Sequence, residues 1–439
     1  MKSKILYTAI CILFLTSGVS AQKMWTLEQC IDTALVNNRN IRQQKLMYSS
    51  KEIAYKQSKY DLLPSLNGSV NQDFGFGRSL DDNYNYVNSN SRGTSFGIGT
   101  SLLLFDGMKM KYNIEAKEMD LLASGTDLEK VEREIALNVS TVFLQALQNK
   151  ELLKNAENQL VITRENIERR KELIQAGKLA EGEMYELLAQ EAKEELSRVQ
   201  AENSVKLSLL DLAQVMNLEN GIQVDILVPE DLLSNELSLL SADAVYASAL
   251  QNRPEIKGAQ YRLQTSEKNV QIAKSYYFPK LSLNANMGTG YNSLAVDFQS
   301  PNSKYSFGKQ LSDKLSSSVG FSLSIPIFDK FQTRSQIKNA KLDVENGKIE
   351  IDKAKLDLRK SIEQAYYNAI AAKNRWESAN KSVKANEEAY RFASQKFEAG
   401  RANQFESNQA KTNLAQALSE QTQAKYEYVF RLKLLELMK

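Results

Sequence analysis

Four short stretches of the chain alternate apolar and polar residues with a period of two, the pattern of half-buried β-strands. In "SVGFSLSIPIFDK", residues 318–330, the apolar positions are separated by Ser318, Gly320, Ser322 and Ser324. The same alternation predicts strands at about 65–77, 95–105, 280–290 and 316–328. Each is about ten residues long, the length that a tilted strand needs to cross a bilayer.

The apolar faces of these strands could contact either lipid or a protein core. A small soluble sandwich is one alternative, but four strands make a poor core. Their polar faces carry mostly Ser, Asn and Gly rather than the charges usual on a soluble surface. We therefore predict that the apolar faces contact lipid; they include Phe96, Ile98, Leu102, Val319, Phe321, Leu323 and Ile325.

Apolar residues at a spacing of seven follow the strands. Residues 107–175 contain no proline, and the seven-residue repeat predicts a very long helix with a coiled-coil seam. The seam residues are Val139, Ala146, Leu153, Leu160, Ile167 and Ile174, and a second set follows later in the chain: Ile362, Ala369, Trp376, Val383, Tyr390 and Phe397. A lone helical hairpin would explain each helix by itself, but not two copies in one phase.

The chain is an internal duplication. "ALVNNRNI" at 34–41 resembles "ALQNRPEI" at 249–256, and "SLLLFD" at 101–106 resembles "SIPIFD" at 324–329. We predict a first structural repeat over 22–235 and a second over 236–439, each in the order helix, strand, strand, long helix, helix.

The N-terminus indicates export. Residues 1–21 have two lysines, a short apolar run and small residues before Gln22, as in a secretory signal peptide. After residue 21 there is no run of 18 apolar residues, so entry into a membrane would require a closed β-barrel. Four strands cannot close a barrel, and the chain would have to oligomerise.

Composition argues against catalysis and nucleic-acid binding. The 56 Lys and Arg nearly balance the 53 Asp and Glu, so no broad basic surface is expected. The chain has no histidine, and Cys30 is the one cysteine after the signal peptide. We predict no enzyme activity, no metal site and no cofactor, and we expect Cys30 to be a small buried residue.

Together these features resemble the TolC family of outer-membrane efflux channels. The resemblance rests on the duplication, the "ALxxN" openings at 34–38 and 249–253, and the "FD" pair before each long helix. It rests also on the Ala-Gly turns at 176–177 and 399–400. It implies a mostly α fold with a transmembrane β part, in which long antiparallel helices form a coiled-coil tunnel, or α-barrel, through the periplasm. Four strands per chain would join a twelve-stranded trimeric β-barrel.

The resemblance also implies a function. The protein would be a passive homotrimeric exit duct in outer-membrane lipid, joined by a periplasmic adaptor protein to an inner-membrane transporter for efflux or type I secretion. The turns would lie at the periplasmic tip and contact the adaptor through Gly177, Lys178, Gly400 and Arg401. Glu183 and Glu406 would lie near the periplasmic entrance.

This chain departs from the family pattern at the entrance. A second entrance acid of well-known members is Gln409 here, and an arginine is replaced by Ala402. Both glutamates can equally be ordinary acids in the first turn of a helix. Two other functions stay open: a periplasmic adaptor, which would carry one hairpin in a small β-domain, and a soluble coiled-coil scaffold. The sequence leaves the exported cargo open.

Overall fold

The computed structural model describes residues 24–80, 84–88, 90–177, 181–218, 224–228, 240–297, 305–399 and 401–439. The predicted signal peptide, residues 1–21, lies outside them. Within these ranges the chain forms nine helices and eight strands. The helices are α1 (Leu27–Asn37), α2 (Arg39–Tyr60), α3 (Lys109–Gln175), α4 (Gly182–Val215), α5 (Ala242–Asn252), α6 (Pro254–Ser275), α7 (Phe307–Asp313), α8 (Gln332–Glu398) and α9 (Gln404–Leu437). The strands are β1 (Met24–Trp25), β2 (Ser65–Gly75), β3 (Arg78–Leu80), β4 (Tyr86–Asn88), β5 (Ser91–Phe105), β6 (Asp225–Ile226), β7 (Lys280–Asn292) and β8 (Ser316–Ser324).

The helices come in pairs of equal length. α1 and α5 have 11 residues each, α2 and α6 have 22, α3 and α8 have 67, and α4 and α9 have 34. At 1.5 Å per residue, α3 and α8 are each about 100 Å long. The mostly helical fold with four longer strands, predicted from the sequence, is confirmed.

The chain divides into two compact units. The helix unit comprises the described residues up to 45, together with 127–254 and 354–439; the sheet unit comprises 46–126 and 255–353. Each unit contains segments of both predicted repeats, 22–235 and 236–439. The repeats therefore describe the order of elements along the chain and do not coincide with the compact units.

An aspartate caps each long helix at its start. The Asp106 carboxylate accepts a hydrogen bond of 3.1 Å from the backbone N–H of Met110, and Asp329 accepts one of 2.7 Å from that of Thr333. Hydrogen bonds from the hydroxyl and backbone of Thr333 hold the pKa of Asp329 below its ordinary value. The two "FD" pairs thus mark the places where strand gives way to helix.

The sheet unit contains one antiparallel four-stranded sheet in the order β2–β5–β7–β8. Both outer strands, β2 and β8, have one edge without a partner strand among the described residues. The pairing of β5 with β7 shifts between Leu103 and Phe105.

Several predicted boundaries were wrong. β8 ends at Ser324, four residues before the predicted end, because Pro326 lacks the backbone N–H that a ladder needs. β5 begins at Ser91 rather than at about 95. The polar segments between the strands also contain the short β3–β4 hairpin and helix α7, which the sequence pattern did not predict.

The core of the helix unit lies where the seven-residue repeat predicts it. Val139, Ala146, Ile362 and Ala369 are fully buried. Cys30 is free and buried in one cluster with Val139 and Ala146, as expected. β1 and β6 pair in parallel beside it. The sequence pattern did not indicate β6, a strand of two residues.

Candidate functional site

The turns between the paired long helices lie at one end of the helix unit. α3 leads into α4 past Gly177, and α8 leads into α9 past Arg401. The Arg170 guanidinium stacks over the Phe397 ring at 4.1 Å, which places the two turns at the same end. Two predicted tip residues, Lys178 and Gly400, lie outside the described residues.

Gly177 adopts a conformation that only glycine reaches without strain. Its φ is +68°, in the left-handed region, and its N–H donates to the carbonyl of Ile174 at 2.9 Å. A Cβ built on Gly177 would have no atom within 4 Å. The glycine is therefore required by the backbone of the turn and not by close packing.

The predicted entrance residues on α9 are exposed near the second turn. Asn403 caps the helix by accepting the backbone N–H of Glu406 at 2.9 Å, so Glu406 lies in the first turn, where the helix dipole favours an acid. The Gln409 amide donates to Asn413 on the same helix at 3.0 Å. Glu183 is in the first turn of α4, but its side chain lies outside the described residues. This arrangement fits the ordinary-acid interpretation equally well, and the entrance role stays a prediction.

A buried charged cluster, Lys411, Glu194 and Thr163, lies further from the turns. The Lys411 ammonium lies 3.3 Å from a Glu194 oxygen and also donates to the Thr163 hydroxyl, which bonds Glu194. Gln190 donates to the Glu194 carboxylate at 2.7 Å. The ammonium, carboxylate and hydroxyl groups come from α9, α4 and α3 respectively, so the cluster joins three helices.

Sequence reasoning missed this cluster, because charged residues on a helix ordinarily face solvent. Lys411 and Glu194 are only 5% and 7% exposed. Burial lowers the pKa of Lys411, and the nearby Glu194 carboxylate partly opposes that shift. In the structure Lys411 lies on the buried stripe of α9, between Ser407 and Ala417.

The sheet gathers the predicted strand residues on one face. The register pairs Ile98 with Met287, and it aligns Leu102, Leu283 and Phe321 in one row across three strands. Phe96, Val319 and Leu323 lie on the same face, and Val319 and Phe321 are 74% and 72% exposed. Ile325, also predicted for this face, follows the end of β8 and is 60% exposed. Helix α7 contacts this apolar face at one end of β7, where the Thr289 hydroxyl donates to the Leu311 carbonyl at 2.6 Å and the Tyr291 ring lies 5.3 Å from the Phe307 ring. Val319, Phe321 and Leu323 on β8 stay mostly exposed.

The opposite face of the sheet is polar. Asn67, Gly99, Asn286 and Ser318 form one row across all four strands. A cavity of about 600 Å³ lies against this face. The residues that border the cavity are mainly Ser, Asn and Gly, so the face offers hydrogen-bonding groups and little bulk.

For the described residues, two further features would bear on function: a metal-binding cluster and a membrane-spanning helix. No group of three or more His, Cys, Asp or Glu in these ranges could bind a metal ion. None of the described helices combines the length and the apolar character needed to cross a membrane.

The chain matches known proteins over most of its length. The family model for outer membrane efflux proteins matches residues 30–218 and 245–437. The solvent efflux pump outer membrane protein SrpC of Pseudomonas putida is 23% identical over 325 residues, 72% of this chain and 64% of that protein. The cation efflux system protein CusC of Escherichia coli is also 23% identical, over 71% of this chain and 64% of its own length. The chain thus spans about 64% of the length of these relatives.

Solved structures share the fold. The outer membrane protein VceC of Vibrio cholerae superimposes with a TM-score of 0.74 at 13% identity, covering 94% of this chain and 95% of VceC. The CmeC outer membrane channel of Campylobacter jejuni gives a TM-score of 0.73 at 18% identity, covering 94% of this chain and 85% of CmeC.

Proposed function

Because the chain belongs to the family of outer membrane efflux proteins, we propose that it is the passive exit duct of a tripartite efflux system. The protein is located in the outer membrane of a Gram-negative cell and extends into the periplasm. The family is one of channel and transport proteins, and we assign no catalytic role to any residue. The observation that carries the proposal is the four-stranded sheet with one mostly exposed apolar face and one polar face.

The two open sheet edges support a homotrimer. β2 and β8 each offer unpaired backbone groups, which are costly in lipid. Pairing β8 of one copy with β2 of the next would satisfy both edges, and three copies would close a ring of twelve strands. The apolar face would then contact outer-membrane lipid, and the polar face would enclose water.

The helix turns support a periplasmic partner surface. Residues 176–177 and 401–403 are at one end of the helix unit, with Arg401 exposed. We assign this end to the contact with a periplasmic adaptor protein, which links the duct to an inner-membrane transporter. The predicted contact residues are Gly177, Lys178, Gly400 and Arg401.

The names of relatives support small-molecule efflux over protein secretion. SrpC is named for a solvent efflux pump and CusC for a cation efflux system. A passive duct takes its cargo from the pump that feeds it, so we propose the efflux class and no particular cargo.

The native mass of the protein, extracted in mild detergent from outer membranes, tests the proposal. We expect three copies, and we expect the purified protein to conduct ions in a planar bilayer. A monomer recovered from the soluble periplasmic fraction would contradict the exit-duct proposal and favour an adaptor or scaffold.

A further inference from the structure

The polar face of the sheet carries almost no charge. In the rows that begin at Ser65, Asn67, Ser69 and Asn71, every residue that the register places on this face is Ser, Asn or Gly. The one large apolar residue on the face is Leu103, in the row next to Lys280. Soluble β-surfaces normally carry many charged residues, so this composition needs its own explanation.

Packing keeps these residues small. A Cβ on Gly99 would lie 2.8 Å from the Asn286 side-chain oxygen, and one on Gly97 would lie 3.0 Å from the Ser69 hydroxyl. Both glycines therefore leave room for polar side chains on neighbouring strands. The Asn71 amide also donates to the Ser95 hydroxyl at 3.4 Å. The polar face is therefore a closely packed layer of small, uncharged polar groups.

The charges of this face lie at its two ends. Asp73 pairs with Gly93, which pairs with Asn292 at the far end of β7, whereas Lys280 begins β7. Twelve residues of strand separate the two levels, which is about 40 Å. Asn286 is midway, about 20 Å from either level. The Debye length is about 10 Å at 0.1 M salt, so neither end charge acts strongly at the middle.

We propose that this face is a wall of the export path that does not discriminate by charge. Hydrated solutes of either sign pass its middle without an electrostatic barrier or a binding site, and any preference for charge is set elsewhere in the chain. The inference rests on the proposed function and adds a property of the cargo: the strand part admits cationic, anionic and neutral solutes alike.

Single cysteines on the two faces test the proposal. Asn286→Cys places a thiol on the polar face, and Met287→Cys, the matched control, places one on the apolar face. The native Cys30 does not interfere, because it is fully buried and burial raises its pKa to about 12. Full-length protein in planar bilayers is treated with a methanethiosulfonate that carries either an ammonium or a sulfonate group, and the reversal potential is measured in a salt gradient.

We expect the two reagents to change the cation-to-anion permeability ratio of Asn286→Cys roughly twofold or more, in opposite directions and by similar amounts. Labelling of Met287→Cys should be roughly 100-fold slower, because a charged reagent must enter lipid. Ser318→Cys and Val319→Cys, one strand away, repeat the comparison in case the first pair does not assemble.

Each other outcome contradicts a specific statement. If the unmodified protein does not conduct, the proposed function fails, and this inference fails with it. If it conducts but labelling at 286 and 318 leaves the reversal potential unchanged, the exit duct stands and only the wall is misassigned. A change in the permeability ratio with only one of the two reagents would show that the polar face already carries an electrostatic potential.

Discussion

At the scale of single residues, the cluster of Lys411, Glu194 and Thr163 buries two charges in the helix unit. Removing two charges from water is costly, and their mutual attraction offsets that cost only when the hydrogen bonds are complete. Here the Glu194 carboxylate receives bonds from Lys411, Thr163 and Gln190. Loss of one partner would leave the other charge buried without compensation.

Removal of one charged side chain of the buried pair should therefore strongly destabilise the folded protein. We expect Lys411→Ala to lower the free energy of unfolding by about 3–5 kcal/mol. Lys411→Met combined with Glu194→Leu should cost less than the sum of the single changes, because no lone charge remains. Denaturant unfolding of the detergent-extracted protein, followed by circular dichroism, measures both effects.

An exposed ion pair provides the control. Lys348 and Glu345 lie 2.7 Å apart, but both side chains are more than half exposed. Lys348→Ala should change stability little, since exposed pairs contribute little. If Lys348→Ala and Lys411→Ala lowered the free energy of unfolding equally, the stabilising role of the buried cluster would be contradicted.

The lowered pKa of Lys411 adds a pH signature. The folded protein binds a proton at Lys411 less readily than the unfolded chain does, so stability should rise with pH just below the ordinary pKa of 10.5. Lys411→Met should remove this part of the rise.

At the scale of elements, the ends of the long helices are set by backbone geometry. Gly107 follows β5 with φ +71°, and a Cβ there would lie 2.7 Å from the Ser275 carbonyl oxygen. Gly177 has a similar φ without close neighbours. Gly182, at the start of α4, has neither restriction. A comparison of the three glycines therefore separates the cost of backbone strain from the cost of a steric clash.

Alanine substitution of these glycines should give a graded series. We expect Gly182→Ala to be neutral or slightly stabilising. Gly177→Ala should cost about 1–2 kcal/mol from the left-handed conformation. Gly107→Ala should cost more, because the Cβ also meets backbone that cannot easily move. The midpoints of thermal unfolding give the order, and a reversal of 177 and 182 would contradict the turn geometry.

At the scale of the whole molecule, periodicity was the most informative part of the sequence. The seven-residue seam and the alternating strands follow from which side of an element is apolar, so the buried Val139 and the shared face of Ile98 and Phe321 were predictable. β6 and the Lys411 cluster were not, since they depend on contacts between segments distant in sequence. The end of β8 at Ser324 was missed although Pro326 marks it. The tip and entrance assignments came from resemblance to a family.

Ion flow through the assembled protein tests the entrance assignment. If Glu406 lines a narrow entrance, Glu406→Gln should weaken block by divalent cations added on the periplasmic side of a planar bilayer. Glu420→Gln is the control, because Glu420 lies on the same helix about 21 Å further from the turn. Unchanged block in Glu406→Gln would remove this residue from the entrance and leave it an ordinary first-turn acid.

The equal lengths of the paired helices have a consequence for how such a chain can change during evolution. A seven-residue deletion in α3 alone would move its end by about 10 Å and separate Arg170 from Phe397. Compensation would require matching deletions in α4, α8 and α9. The length of the helical part can therefore change only when all four helices change together. The segments between the strands, by contrast, can change length by single residues.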